Sequence, residues 1–199
     1  NTAYLLIVQW VPFGAILAAG NDEQKRRLLG PLAAGELRGA FSTTEPQSGS
    51  DVAGIRTRAR RCDGGYRISG SKIWCTNSQI ADFVLVAAKT GDDEGARAIN
   101  LFIVERGSKG FTVGRHEDKM GARGVPSCPL FLDEVFVAEA NRIGEDGRGF
   151  KDVMEAFNKS RPLIGARGVG LAQGAIDHSI EFVSNRVTWG RKVSENQGI

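Results

Sequence analysis

The sequence predicts an α+β protein in which helical segments flank a central antiparallel β-barrel or sandwich. Helical hydrophobic periodicity occurs towards both ends of the chain, and short apolar or alternating runs separated by turn residues fill its middle. We place the three regions at residues 1–36, 37–142 and 143–199. No helical pattern lies between the central strands, so a parallel sheet with crossover helices is not expected.

The first region predicts two helices. Residues 3–20 are nearly uncharged, but they reach only the lower length limit of a membrane span, ~17–20 residues, and polar and helix-breaking residues interrupt them. We therefore expect a helix buried among other helices, with a membrane span as the alternative. Asn21 predicts an N-cap with Gln24 as its capping-box partner, and Gly30-Pro31 predicts the end of the second helix.

The central region predicts short strands. Residues 55–60 alternate apolar or small side chains with arginines, which is the pattern of a half-buried strand with a cationic outer face. Residues 63–65 (Asp-Gly-Gly) predict a hairpin turn, and residues 69–72 (Ser-Gly-Ser-Lys) predict another turn. Further strands are expected at residues 83–88, 99–104, 111–113 and 130–137.

The last region predicts one long helix. A glycine-rich loop at residues 144–149 precedes a helical pattern that continues to about residue 187. Pro162 is expected to kink this helix, because proline removes a backbone donor and crowds the preceding turn.

Charge and cysteine content narrow the possible partners and the compartment. The formal net charge is +3, and the charges are too scattered to argue for nucleic acid. Cys62, Cys75 and Cys128 are odd in number and form no Cys-x-x-Cys pair, which indicates free thiols in a reducing compartment. The two histidines lie far apart in sequence, so we expect no metal site. The chain starts without Met and stops without a terminating pattern, so we expect a fragment of a longer protein.

The stretch from Phe41 to Gly54 is polar and contains almost nothing large to bury, so its polar groups are expected to serve something other than the core. Consecutive small residues let backbone N–H groups converge on an anion, and Ser48-Gly49-Ser50 suits a phosphate. The alternative is a solvated turn whose Ser and Asp side chains satisfy their own backbone.

Two blocks carry a family resemblance. Residues 44–51 read Thr-Glu-Pro-Gln-Ser-Gly-Ser-Asp, and residues 70–77 read Gly-Ser-Lys-Ile-Trp-Cys-Thr-Asn. Together with residues 157–162, 168–173 and 186–191, they resemble the acyl-CoA dehydrogenase family, most nearly its medium-chain type. The departures from the family pattern are modest and fall at Thr43, Cys75, Asn158 and Trp189. The resemblance implies that the three regions are the end of an N-terminal helical domain, a central β-domain and the start of a C-terminal helical domain.

The resemblance also implies an FAD site. A flavin needs hydrogen-bond donors at its pyrimidine edge, a flat apolar neighbour and a cradle for its pyrophosphate. The implied cofactor-binding residues are Phe41, Ser42, Thr43, Thr44, Gly49, Ser50, Trp74, Cys75, Thr76, Arg186, Thr188 and Gln197. For Trp74 the alternative is plain packing in the β-core.

The implied substrate-binding residues are Ser50, Asn158 and Arg161. The spacing of three places Asn158 and Arg161 on one helix face. The alternative for Arg161 is a snorkelling side chain with a local carboxylate such as Glu155 or Glu181.

The implied assembly is a homodimer or homotetramer. In the family, the residues that match Arg186, Thr188 and Gln197 reach the FAD of a neighbouring subunit. A soluble protein without membrane or nucleic-acid partners is expected, in the bacterial cytoplasm or the mitochondrial matrix.

The implied reaction is α,β-dehydrogenation of an acyl-CoA thioester, fatty or branched, with electrons passing to an electron-transfer flavoprotein. Ser160 stands where one branch of the family has its catalytic glutamate, and a hydroxyl cannot abstract an α-proton without strong activation. Glu155 projects from a different helix face. We therefore assign no catalytic residue and expect the base in the missing C-terminal part. The alternatives are a flavin oxidase or monooxygenase on the same fold, or a flavin-binding protein without turnover.

Overall fold

The computed structural model describes residues 2–91 and 95–199. The chain divides into two compact units, Asn1–Ser160 and Arg161–Ile199. The three region boundaries expected from the sequence remain predictions.

Two helices open the first unit, α1 (Thr2–Ala19) and α2 (Asp22–Ala34). The predicted capping box is confirmed, since Asn21 Oδ1 accepts from Gln24 N at 2.8 Å and Gln24 Oε1 accepts from Asn21 N at 3.1 Å. The predicted end at Gly30-Pro31 is wrong. The helix continues to Ala34 because the buried side chain of Leu32 anchors its last turn and Gly35 caps it in the left-handed conformation at φ 75°.

Within residues 2–91 and 95–160, eight strands form the sheet of the first unit. They are β1 (Gly39–Ser42), β2 (Arg58–Cys62), β3 (Gly65–Thr76), β4 (Phe83–Thr90), β5 (Ile99–Glu105), β6 (Phe111–Val113), β7 (Ser127–Ala138) and β8 (Arg142–Ile143). Seven of them follow the order β6-β7-β3-β2-β4-β5-β8, and β1 pairs with β4. Within the described residues this path is not closed by a β6–β8 pairing, so the sheet is an open, sandwich-like arrangement and the barrel form is too strict.

The predicted α+β class with a largely antiparallel sheet is confirmed, with one correction in strand direction. The pairs β1–β4 and β2–β4 are parallel. The reason for the second is topological: the chain reverses at the β2–β3 hairpin and reverses again before β4, so neighbouring strands β2 and β4 run the same way.

The predicted turn at residues 69–72 is also wrong, because these residues lie inside β3. The pairing of β3 with β7 is irregular between Ile68 and Gly70. A Cβ at Gly70 would meet Thr57 Oγ1 at 2.5 Å, so glycine is needed there for a close approach between neighbouring segments.

The core has two layers, and β4 contributes to both. Its residues Val84, Val86 and Ala88 lie in a cluster enclosed by the sheet, whereas Phe83, Leu85 and Ala87 face α1 and α2. Being covered on both faces explains why β4 is an almost unbroken apolar run.

The third helix, α3 (Gly149–Asn185), runs from the first unit into the second, and Pro162 lies within it. The second unit ends with a short hairpin of β9 (Val187–Thr188) and β10 (Arg191–Lys192). None of the helices in residues 2–91 and 95–199 has the length and apolar character required to cross a bilayer.

Candidate functional site

The two sequence blocks lie side by side. The segment Phe41–Thr44 runs antiparallel to the end of β3: Ile73 N donates to Thr44 O at 3.0 Å, and Cys75 Sγ donates to Phe41 O at 3.6 Å. Residues that the sequence places in one cofactor site, but 29 to 34 positions apart, are therefore brought together at the end of β3.

Trp74 is the most unusual residue at the end of β3. Its side chain is 56% exposed, and its backbone has φ 57°, which is rare for a bulky residue. Trp74 lies in a β-bulge between β3 and β7. Lys72 pairs with Leu130 and Cys75 pairs with Cys128. Two residues of β3, Ile73 and Trp74, therefore oppose the single residue Pro129 of β7. Proline has no N–H to donate to the ladder, which favours the irregularity at this point. An exposed indole does not fit the alternative of plain β-core packing.

The neighbouring predicted residues point elsewhere. The side chains of Ser42, Thr43 and Cys75 are buried in the first unit. Phe41 packs edge-on against Phe157 of α3, with ring centroids 5.5 Å apart. These four residues therefore offer a ligand mainly their backbone, whereas Thr44 and Thr76 are partly exposed and can offer hydroxyls.

The loop after Thr44 is held by its own hydrogen bonds. Glu45 and Ser48 exchange two backbone bonds of 2.9 and 3.0 Å, and the buried Ser48 hydroxyl donates to Asp51 O. The Ser48 hydroxyl thus bonds to the backbone of its own turn, as expected if this loop is a solvated turn and not a phosphate site. Gly49 and Ser50 are exposed and remain open for an anion.

Beneath this loop is a buried carboxylate that the sequence analysis did not single out. Glu45 is 3% exposed and accepts from Arg56 N at 2.6 Å, Thr57 N at 3.0 Å, Thr57 Oγ1 at 2.6 Å and Lys72 Nζ at 2.8 Å. Burial acts to raise the pKa of Glu45, but the Lys72 ammonium and these hydrogen bonds outweigh it and lower the pKa to about 2.

Lys72 is fully buried and also donates to Thr43 O at 3.1 Å. Burial lowers the pKa of Lys72 to about 8, while Glu45 opposes that shift. In the sequence, the pair could have been found only as one Glu in the first block and one Lys in the second. Their burial is visible only in the structure.

The remaining predicted residues lie on α3 and after it. Asn158 is an exposed residue of the first unit, and Arg161 is an exposed residue of the second. Within the second unit, Arg186 N donates to Phe182 O at 2.8 Å and Arg186 O accepts from Val193 N at 2.9 Å, so the backbone of Arg186 is fixed between α3 and the terminal hairpin.

Of the other predicted residues of the second unit, Thr188 is half-buried in β9, and Gln197 is exposed. Arg186, Thr188 and Gln197 all belong to the second unit, whereas Trp74 belongs to the first.

Comparison with known proteins identifies the family of this chain. The model of the acyl-CoA dehydrogenase middle domain matches residues 40–135, and the model of the acyl-CoA dehydrogenase C-terminal domain matches residues 147–199. The chain belongs to the acyl-CoA dehydrogenase family.

Individual members of the family show the same likeness. The chain is 42% identical to an acyl-CoA dehydrogenase of Bacillus subtilis over 92% of its own length and 48% of that relative. It is 36% identical to the structure of butyryl-CoA dehydrogenase from Megasphaera elsdenii, with a TM-score of 0.91, over 94% of this chain and 49% of the other.

A structure of PigA with FAD and proline is 28% identical, with a TM-score of 0.93, over 98% of this chain and 51% of the other. The chain thus spans about half the length of the relatives that it matches.

The residues of this acyl-CoA dehydrogenase family member fit a flavin. The exposed face of Trp74 is a flat apolar surface, the partly exposed Thr44 and Thr76 carry donors beside it, and Gly49 and Ser50 are open to a phosphate. Among residues 2–91 and 95–199, no group of three His, Cys, Asp or Glu side chains is arranged to hold a metal ion.

Proposed function

We propose that the protein containing this chain is an FAD-dependent acyl-CoA dehydrogenase that oxidises the α,β bond of an acyl-CoA thioester. The observation that carries the proposal is the outward indole of Trp74, held at φ 57° beside Thr44 and Thr76. A bulky residue in this conformation is costly and persists where the surroundings impose it, often at functional sites. Family membership supplies the reaction class.

In this proposal each segment has a separate task. When bound, FAD supplies the acceptor for the β-hydrogen. Trp74 lies against the ring, Thr44 and Thr76 donate to its polar edge, and the loop at Gly49 and Ser50 holds the pyrophosphate. The backbone of residues 41–43 and Cys75 lines the same site.

The substrate side and the assembly complete the proposal. Ser50, Asn158 and Arg161 contact the acyl-CoA, and Arg186, Thr188 and Gln197 reach the FAD of a second subunit in a homodimer or homotetramer. The base that takes the α-proton lies outside this chain, and the electrons leave to an electron-transfer flavoprotein. A reducing compartment suits the three free thiols.

The first test is made on the full-length protein. We expect it to purify with FAD, and we expect anaerobic addition of a series of acyl-CoA thioesters to bleach the flavin absorbance. Trp74→Ala/Thr76→Ala should lower the FAD content or shift the flavin potential. The matched control Phe136→Ala/Thr112→Ala removes an exposed aromatic ring of β7 and an exposed hydroxyl of β6, and it should leave the FAD content and the flavin potential unchanged.

Other outcomes select other functions. Oxygen consumption without reduction of an electron-transfer flavoprotein would indicate an oxidase or monooxygenase. Bound FAD that no acyl-CoA bleaches would indicate a flavin-binding protein without turnover. An unchanged flavin content and spectrum in Trp74→Ala/Thr76→Ala would refute the placement of these two residues.

A further inference from the structure

The side chains of Lys72 and Cys75 are buried on the same side of β3, although the two residues are three positions apart. Both side chains are buried, at 0% and 1% exposure, and both residues pair with β7 residues whose side chains are also buried. In a regular strand, residues three positions apart face opposite sides of the sheet. Burying both on one side therefore requires an extra residue between them, and the bulge at Ile73 and Trp74 supplies it.

The extra residue determines where Trp74 points. With Lys72 and Cys75 both directed inward, Trp74 takes the left-handed conformation at φ 57° and its indole faces outward. A tryptophan adopts this conformation at a cost, so the contacts on both sides of the bulge must hold it. On one side, Cys75 contacts Phe41 O. On the other side stands the buried ion pair of Lys72.

The ion pair also joins the two sequence blocks. Lys72 Nζ donates to Glu45 Oε1 at 2.8 Å and to Thr43 O at 3.1 Å, on the two residues that flank Thr44. Because both bonds end on the segment that carries Thr44, that segment and the bulge that carries Trp74 are fixed relative to each other. The main-chain bond from Ile73 N to Thr44 O completes this connection.

We propose that Lys72, through its ion pair with Glu45, is the positioning residue that holds the Trp74 indole and Thr44 in register for the flavin. The inference rests on the proposed function for the identity of the ligand. Bulk packing alone does not account for the pair: an apolar side chain of similar size would fill the same space without the desolvation that two buried charges require. The charged pair adds structural specificity, because its hydrogen bonds can form in only one register of β3 against the segment Thr43–Glu45.

The test separates position from stability. Lys72→Met alone leaves Glu45 charged and buried, so the main variant is Lys72→Met/Glu45→Gln, which removes both charges and retains most of the volume. The full-length protein is labelled with 5-fluorotryptophan, and the Trp74 resonance is identified by its absence in Trp74→Phe. We expect the double variant to fold with a melting temperature close to that of the wild type. Its Trp74 resonance should shift in the apoprotein, whereas the resonances of Trp10 and Trp189, identified in the same way, should not.

Flavin binding gives the second readout. Stacking against an indole quenches flavin fluorescence, so bound FAD should be brighter in the double variant. Its dissociation constant should rise about tenfold, which corresponds to about 1.4 kcal/mol of binding free energy. Lys89→Met, which removes another buried lysine (4% exposed) of the same sheet, is the matched control and should change neither readout.

Each outcome decides the inference. A Trp74 resonance unchanged in the apoprotein and an FAD affinity within about twofold of the wild type would overturn it. If the double variant does not fold, Lys72→Arg, which keeps the charge but changes the reach, must still shift the Trp74 resonance, and an unchanged resonance there overturns the inference as well. If the wild type binds no FAD, the proposed function fails, while the resonance in the apoprotein still tests the positioning role.

Discussion

Gln24 Nε2 donates to Arg142 O at 2.9 Å, which ties the first turn of α2 to the start of β8, 118 residues further along the chain. The same amide nitrogen donates to Ala140 O at 2.8 Å, and Gln24 Oε1 accepts from Asn21 N in the capping box. One buried side chain therefore both starts a helix and fixes that helix to the sheet on which the candidate site is built.

We expect Gln24→Ala to lower the free energy of unfolding by about 2–3 kcal/mol, because it leaves two backbone carbonyls without their donor and removes half of the capping box. Chemical denaturation measures the change. Gln79→Ala is the control: Gln79 is exposed, and its replacement should alter stability by less than about 0.5 kcal/mol. Equal effects of the two substitutions would show that the bridge to β8 contributes nothing.

The acid stability of the protein should depend on Glu45. Its pKa is lowered from 4.5 to about 2 on folding, so the unfolded state binds more protons between these pH values. The resulting stabilisation is complete above about pH 4.5 and is lost as the pH falls towards 2, to an extent of up to about 3 kcal/mol.

Other carboxylates titrate in the same range, so the measurement is a comparison. Unfolding free energies of the wild type and of Lys72→Met/Glu45→Gln are determined at pH 6, 4 and 3. As the pH falls, the unfolding free energy of the wild type should decrease more than that of the double variant. A difference independent of pH would contradict the assignment of a charged Glu45 in the folded state.

The three free cysteines should differ in reactivity. Burial raises the pKa of the Cys75 thiol to about 12 and also raises the pKa of Cys128. At pH 8 only roughly one Cys75 in 10,000 is then a thiolate, and the thiolate is the form that iodoacetamide alkylates. We expect native alkylation at the half-buried Cys62 alone, as read by peptide mass spectrometry, and alkylation of all three after unfolding. In native Cys62→Ser, the peptides that contain Cys75 and Cys128 should take up almost no label. Rapid native labelling of Cys75 would be incompatible with its buried position.

Local chemistry explains which parts of the fold were predictable. The capping box at Asn21 and the alternating burial of residues 55–60 depend on neighbours within a few positions, and both are confirmed, but the strand expected at 55–60 begins only at Arg58. The continuation of α2 through Pro31 depends instead on tertiary burial of Leu32, which overrides the local stop signal. The parallel pairing of β2 with β4 depends on the path of the whole chain.

The candidate site shows the same division. The blocks at residues 44–51 and 70–77 identify its segments, but their side-chain directions could not be derived from a period of two. The bulge at Trp74 breaks that period, and its position depends on Pro129 in the opposite strand. The partner of Glu45 was similarly hidden, because Lys72 lies 27 residues away in sequence.

The last prediction concerns Ser160, which occupies a position where a catalytic glutamate occurs in one branch of the family. Its side chain is 7% exposed, and its hydroxyl donates to Phe157 O at 2.9 Å within α3, so its hydrogen is engaged by the helix backbone. A hydroxyl whose hydrogen is donated to a backbone carbonyl is not activated for abstraction of an α-proton. In the full-length protein, Ser160→Ala should therefore keep the rate of flavin bleaching by acyl-CoA within about twofold and change stability by less than about 1 kcal/mol. Glu155→Gln, on a different face of α3, should behave in the same way.

The decisive comparison is with glutamates outside this chain. One Glu→Gln variant there should retain FAD and lose substrate bleaching, with little change in the binding of acyl-CoA, because it removes only the group that accepts the proton. If Ser160→Ala instead abolishes bleaching while FAD remains bound and the protein remains folded, the base function lies in α3 and the assignment of the proton acceptor to the rest of the protein is wrong.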